Sequence, residues 1–347
     1  MQWQDLKGNP RLRKNYDQRI KIIRLTREFF WSQGFLETET PIAVRLPGQE
    51  PYLNPIPIHI HPPLKMTRQK AAKFYLHTSP EFAMKKLLAS GYKKIFQITK
   101  CFRDQESFGG QHNPEFAMAE WYRAPGNFWQ IMDDTEKLFK FIGEKLRIKK
   151  LRWRGRGVPL GVKWERKTMR DVWRQFLNVD LDDYPTAPRM AKLAKSLGFG
   201  VSKEYLFEDL FFQVFLNKIE PRLGTEKPIF IYDYPAQMCS LSRPSKDPRY
   251  AERFELYIGG LELANAFGEL IDAKEQNVRL EKDRQKRKKL GRDVYDIDLD
   301  FIDALRSGIP SAGGIALGVD RMIMLFTGAR DINEVIFQSA ADMIDGR

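Results

Sequence analysis

The stretch Cys101–Phe116, CFRDQESFGGQHNPEF, places an arginine at one end, an aromatic ring at the other, and a Gly-Gly turn with a His-Asn-Pro step between them. Before it, KKIFQITKCFRD alternates Phe96, Ile98 and Phe102 with polar neighbours; after it, EFAMAEWY alternates in the same way through Phe116, Met118, Glu120 and Tyr122. Period-two alternation on both sides of a turn predicts two antiparallel strands. Strand periodicity then puts Phe116, Glu120 and Tyr122 on one face, with Arg103 arriving from the partner strand. A base can stack on such a ring, and a guanidinium can hold phosphate and carboxylate oxygens in fixed directions. The loop SFGGQHNP would fold over the phosphates, with His112 and Asn113 as donors. An ordinary hairpin with core aromatics has the same spacing, so both readings stand at this point.

Working outward, residues 17–33 carry Ile20, Ile23 and Phe30 at helical spacing and stop at Gly34. FLETETPIAV then reads as a strand ending at Pro41. The pattern from about 127 to 225 is mainly helical, with a break at YPTAPR, and is expected to be an insertion in a single domain spanning 1–347. Strands return at PIFIYDYP and at ERFELYIGGLELANAFGEL, where Gly259-Gly260 is a two-residue hairpin signal. GGIALGVDRMIMLFTG reads as strand, turn and buried helix. The expected fold class is α+β, an antiparallel sheet flanked by helices.

Composition bounds the function. The 347 residues are 42% hydrophobic and 30% charged, the balance of a folded soluble chain. Cys101 and Cys239 are too few for a disulfide framework and lack metal-ligand spacing. No run is long and apolar enough to cross a bilayer and the start has no signal-peptide core, so a cytoplasmic location without a membrane partner is expected. Lys and Arg exceed Asp and Glu by 58 to 45, a formal charge of +13 that favours acidic partners, nucleic acid or protein. The surplus lies largely in KLRIKKLRWRGRG (145–157) and RLEKDRQKRKKLGR (279–292), the second reading as a solvated helix.

In ERFELYIGGLEL a turn at Gly259-Gly260 pairs Ile258 with Leu261 and Glu255 with Ala264, leaving Glu255 and Glu262 diagonal on one face. Two such carboxylates suit magnesium bound to a triphosphate, though solvated glutamates have the same pattern. Ser79, Pro80 and Glu81 make an ordinary helix start in HTSPEFAMKKLL. Arg321 has only Asp320 as an evident neighbour. No P-loop or Rossmann fingerprint is present.

These segments, in order, resemble the class II aminoacyl-tRNA synthetases. GFLETETP resembles their motif 1, FRDQE with HNPEF motif 2, and GGIALGVDRMIML motif 3. TSPEFAMKKLL, HNPEFAMAEWY and LELANAFGEL are similar to lysyl-tRNA synthetase cores, from about residue 17 onward. The motif 1 helix begins so early that no N-terminal OB-fold anticodon domain is expected. That, and IALGVDR in place of a more glycine-rich version, resembles the elongation factor P lysine ligases, truncated paralogues of lysyl synthetases. The family's catalytic core is the fold that the resemblance implies.

The resemblance implies ATP as substrate, Mg2+, and transfer of (R)-β-lysine to a lysine of elongation factor P, an acidic protein, by a homodimer without stable tRNA charging. It implies Arg103 and Arg321 as catalytic residues, Arg103 on the α-phosphate and substrate carboxylate, and Phe116 with Arg321 around adenine. Asp104, Gln105, His112, Asn113, Glu262, Leu263 and Gly318 complete the ATP site, and Glu255 and Glu262 are the magnesium carboxylates. Ser79, Pro80 and Glu81 fall near the reacting end of the amino acid, and Glu120, Tyr122, Asn265 and Glu269 receive its distal ammonium, with Phe267 and Ala316 lining the pocket. Gln105 stands where motif 2 normally has glutamate, so either it or Glu106 fills that place. Ala266 and Gly268 also depart from the family pattern. Glu262 and Asn265 face opposite sides of a regular strand, which a β-bulge near Ala264 would reconcile. A minimal lysyl-tRNA synthetase and a non-catalytic lysine sensor are the competing functions.

Overall fold

The computed structural model describes residues 1–63 and 71–344. Its strands are β1 (Leu36–Glu37), β2 (Ala43–Val44), β3 (Ile56–Ile60), β4 (Ala72–Leu76), β5 (Lys94–Phe102), β6 (Glu115–Arg123), β7 (Lys150–Trp153), β8 (Arg156–Pro159), β9 (Glu165–Thr168), β10 (Ile229–Pro235), β11 (Tyr250–Ile258), β12 (Leu261–Gly268) and β13 (Gly313–Gly318). Eight of them form one sheet in the order β1-β5-β6-β13-β12-β11-β10-β9. Only its two outermost pairs, β1 with β5 and β9 with β10, run parallel. The fold is a mixed α+β fold on a mostly antiparallel sheet.

Alternation along the central strands decides what each face carries. Ala117, Ala119 and Trp121 of β6, Ile315 and Leu317 of β13, and Ala264 and Ala266 of β12 are buried in the principal core. Three helices close that face: Pro10–Ser32 through Phe29 and Phe30, Phe128–Leu146 through Ile131 and Phe139, and Val319–Thr327 through Met322 and Ile323. On the other face the register sets Glu120 beside Ala316 and Ala316 beside Asn265, then Tyr122 beside Gly314 and Gly314 beside Phe267. Helices Glu81–Ala89, Ala273–Lys289 and Leu299–Arg306 cover only the rim of this face, through Met84, Leu88, Leu280, Phe301 and Ile302. A cleft remains over its centre.

Several elements differ from the sequence expectation. The first long helix starts at Pro10, because Asn9 caps it by accepting from the backbone N–H groups of Arg11 and Leu12. Its buried stripe runs through Arg19, Ile22, Thr26, Phe29 and Phe30, while Ile20 is 55% exposed. FLETETPIAV is not one strand ending at Pro41: β1 pairs with β5 for two residues, and after Thr40 the chain changes sheets to pair as β2 with β4. The 127–225 segment is not helical throughout, since it contains the β7–β8 hairpin and the edge strand β9. Helices Met169–Leu177, Ala187–Ser196 and Phe207–Val214 in this segment build a second apolar cluster against β10 and β11, through Trp173, Phe211, Ile231 and Tyr257. The 279–292 run is not merely a solvated face, because Arg287 is buried at 1% exposure.

Gly259 and Gly260 both adopt positive φ, 68° and 80°, the geometry of a tight hairpin turn. Ile258 faces Leu261 as expected, but the register then shifts: Tyr257 faces Glu262, Leu256 faces Ala264 and Glu255 faces Asn265, not Ala264. Leu263 is the extra residue of a β-bulge. The bulge turns Glu262 and Asn265 to the same side, which a regular strand cannot do.

Candidate active site

The cleft is about 310 Å³ and is bordered by Arg103, His112, Phe116, Glu262, Gly318 and Arg321 at one end. Glu81, Glu120, Tyr122, Asn265, Phe267 and Glu269 border the other, with Ala316 between. Asp320, next to Arg321, ties the surrounding elements together. One of its oxygens pairs with Arg19 of the first helix and the other accepts from the backbone N–H of Ala117 in β6 at 2.6 Å. That ion pair is buried, and removing one partner strands the other's charge. Arg321 is therefore not partnered by Asp320; it donates to the carbonyl oxygens of Glu262 at 2.9 Å and Gln111 at 3.2 Å.

The 103–114 loop is held at its base and its tip. The backbone N–H of Arg103 donates to Pro114 O, that of Gly110 to Asp331 Oδ2 at 2.7 Å, and that of Ile332 to Gly110 O. Arg103 places its guanidinium carbon 5.0 Å from the centre of the Phe116 ring, so cation and ring do share a face. Its Nε is buried with no hydrogen-bond partner among the described residues. An orphaned guanidinium N–H is costly unless a ligand anion takes it. Burial, followed by the charge of Arg321, lowers the pKa of His112.

Not every expected residue reaches the cleft. Gln105 takes φ 63°, in the left-handed region, and its Oε1 accepts from Asn54 and Arg292 on the outside. Asp104 is exposed and accepts from the Gln105 backbone N–H. Glu106 lines the cleft instead. Asn113 does border the cleft, but it is buried with both polar ends occupied, its Nδ2 donating to Glu115 O and its Oδ1 accepting from Ala340 N. Pro80 sits just outside, preceding a helix that begins at Glu81 rather than at Pro80. Glu255 lies behind the cleft wall, its carboxylate accepting from Tyr234, Tyr257 and Arg253.

At the far end, carboxylates crowd together. Ser79 and Tyr122 hydroxyls donate to the two oxygens of Glu120 at 2.8 and 2.6 Å. Glu120 is 1% exposed, and burial plus the charge of Glu81 push its pKa up to about 8. Glu269, 2% exposed, is pushed up to about 7, first by burial. Lys85 lies between Glu81 and Glu269, 2.5 Å from an oxygen of each. Burial opposes the charge of Lys85, but the two carboxylates outweigh it and raise its pKa. Gly314 keeps this end open, because a Cβ there would strike the Tyr122 ring and a Glu269 oxygen.

Sequence reasoning missed Glu50 and Lys85, and left the choice between Gln105 and Glu106 open. Lys85 stands four residues after Glu81 on one helix, a spacing that signals an ion pair. Glu50 has no such local signal.

As for a divalent cation, no three His, Cys, Asp or Glu side chains group to hold one among the described residues. Glu262 nonetheless fits a hard cation delivered with a polyphosphate. Its carboxylate opens on the cleft, 3.9 Å from Arg321, and its pKa is raised first by burial and then by the charge of Glu255 behind it. A cation would relieve that like-charge contact.

Residues 1–340 match the family model of class II tRNA synthetases (D, K and N). The chain is 36% identical over 327 residues to the elongation factor P (R)-β-lysine ligase of Avibacterium paragallinarum, covering 92% of both chains. Against the ligase of the same name from Haemophilus influenzae it is 35% identical over 330 residues, covering 93% of this chain and 94% of that one. The lysine–tRNA ligase of Pelotomaculum thermopropionicum is 35% identical over 336 residues, covering 96% of this chain and 64% of the relative.

Proposed function

The chain belongs to the class II tRNA synthetases (D, K and N), and from that premise we propose that it activates a diamino acid, (R)-β-lysine, with ATP and transfers it to a lysine side chain of elongation factor P. The carrying observation is the charge imbalance of the cleft. Glu50, Glu81, Glu120 and Glu269 line one cleft, with Lys85 as the buried counter-ion of Glu81 and Glu269, and burial and mutual repulsion push up the pKa of three of the four. A site that crowds carboxylates beside an orphaned arginine N–H is suited to a ligand with two ammonium groups and one carboxylate.

In the first step an oxygen of the substrate carboxylate attacks the α-phosphorus, and the bond to the pyrophosphate oxygen breaks. Arg103 neutralises charge on the reacting phosphate and orients the carboxylate, while Phe116 and Arg321 hold the base. Glu262, backed by Glu255, would hold Mg2+, which supplies charge neutralisation on the polyphosphate when bound. In the second step an amine of the acceptor attacks the carbonyl of the acyl-adenylate, forms an amide and loses a proton, and AMP leaves with the bonding electron pair.

The choice of β-lysine and of a protein acceptor is supported by the relatives that bear that name and by Ala316, whose methyl group stands in register between Glu120 and Asn265. Similar identity to the tRNA ligase keeps tRNA charging as the second reading. A homodimer is supported by exposed Ile20 and Trp31 on the first long helix, Leu36 on β1 and Ile42 just before β2. The test is pyrophosphate exchange with α-lysine and (R)-β-lysine, followed by offering elongation factor P or tRNA to the adenylate. Preferred exchange with β-lysine and transfer to the protein are expected; efficient stable charging of tRNA would overturn the reading. Arg103→Ala is expected to lower exchange by roughly 10²–10³-fold.

A further inference from the structure

None of the family motifs contains Glu50, yet its carboxylate reaches the same cleft as Arg103, Ser79 and Glu81. It comes from the segment Leu46–Pro55, LPGQEPYLNP, whose backbone is fixed from outside. The buried Arg287 donates to the carbonyl oxygens of Glu50 and Leu53, each at 2.8 Å. The Tyr295 hydroxyl donates to Gly48 O at 2.5 Å, and Gln49 donates to Asp296 O at 3.0 Å. The carboxylate folds back over Gly48, between the cleft and a neighbouring cavity of about 550 Å³.

Of the other carboxylates lining the cleft, Glu81 and Glu269 share Lys85 as an ion pair, although neither Glu269 oxygen makes a hydrogen bond among the described residues, and Glu120 receives Ser79 and Tyr122. Glu50 Oε2 is shut off from solvent and has no hydrogen-bond partner among the described residues. Arg103 Nε, in the same cleft, is orphaned in the opposite sense, a donor without an acceptor. Buried orphans of opposite kind in one cleft suit a ligand carrying an ammonium next to a carboxylate. Burial, then the charge of Glu81, push the Glu50 pKa up to about 7, as expected of a carboxylate without its cation.

We propose that Glu50 is a specificity-determining residue that receives the ammonium adjacent to the reacting carboxyl of the diamino acid, while Arg103 holds that carboxyl. This rests on the amino-acid activation reading above. It adds a contact at the reacting end, separate from the one to the distal ammonium.

The test uses calorimetric binding of L-lysine, (R)-β-lysine and 6-aminohexanoate, the last lacking the amino group beside its carboxyl. Two variants approach the same carboxylate differently. Glu50→Gln removes its charge, and Gly48→Ala builds a Cβ into the space the carboxylate occupies, displacing it while its charge remains. In both, affinity for at least one of the two lysines should fall roughly tenfold or more, the loss of a charge-assisted hydrogen bond. Affinity for 6-aminohexanoate should change about twofold or less, so the ratio collapses. Equal losses for all three ligands, or no loss for any, would overturn the proposal, as would a wild-type protein that binds none of them. Pyrophosphate exchange in parallel separates the two readings: binding with the expected ratios but without exchange leaves Glu50 in place and removes the activation chemistry.

Discussion

At the scale of single residues, the site works by leaving charges undersupplied. Ala316 is the simplest case, a methyl group between Glu120 and Asn265 on the cleft floor. A methylene-sized difference in fit is worth about 1–3 kcal/mol, so Ala316→Gly is expected to shift the ratio of exchange rates toward α-lysine by roughly tenfold. An unmoved ratio would place the discrimination elsewhere on the cleft wall; Ala266 is turned into the principal core, and neither it nor Gly268 borders the cleft. The buried carboxyls add a pH dependence with a definite sign. Glu50 and Glu269 stand at about 7 and Glu120 at about 8, all above the ordinary value of 4.5. A raised acid pKa stabilises the fold fully below the unfolded value, and that stability is lost as pH rises through the folded value. Melting temperature without ligand is therefore expected to fall between about pH 5 and 8.5. A lysine-class dication should restore it, with a larger thermal shift near pH 8.5 than near pH 6. Equal shifts at both would show that these groups do not meet the ligand.

At the scale of elements, β12 and β13 do the positioning. The bulge at Leu263 reverses the side on which Glu262 falls, so one strand serves both ends of the cleft. β13 contributes by what it lacks. At Gly314 a Cβ would meet the Tyr122 ring and a Glu269 oxygen, both deeply buried. Gly314→Ala is expected to cost about 1–3 kcal/mol in denaturant unfolding and to abolish lysine binding, because neither neighbour has room to retreat. Gly318 contrasts with it, since a Cβ there would find nothing closer than 3.6 Å. Gly318→Ala should keep the wild-type melting temperature and weaken ATP binding if adenosine passes over that backbone. Unchanged ATP affinity would remove Gly318 from the site.

At the scale of the whole molecule, what was legible in the sequence follows from how far each cause reaches. The β5–β6 and β11–β12 hairpins were legible because alternation and a Gly-Gly turn are local. The bulge was legible only through the demand that Glu262 and Asn265 share a side. Gln105 and Glu106 were not separable in advance, because the choice depends on Asn54 and on Arg292, far away in the chain, which draw Gln105 outward. Glu50 and the buried Arg287 were invisible for the same reason: their burial is decided by segments more than two hundred residues apart. The basic surplus resolves at this scale as well. Lys149, Lys150, Arg152, Arg154 and Arg156 all lie exposed on or beside the β7–β8 hairpin, which Leu151, Trp153 and Val158 anchor to the principal core. Neutralising these five is expected to slow transfer to an acidic protein acceptor and soften its salt dependence, leaving pyrophosphate exchange intact. Parallel losses in both assays would mark the cluster as structural.

Arg287 and Tyr295 grip the segment around residue 50 by carbonyl oxygens, which every amino acid possesses. The course of that segment is thus independent of the side chain at position 50. An exchange at position 50 would change the group offered to an incoming amino acid without redrawing the scaffold or touching the Arg321 end of the cleft.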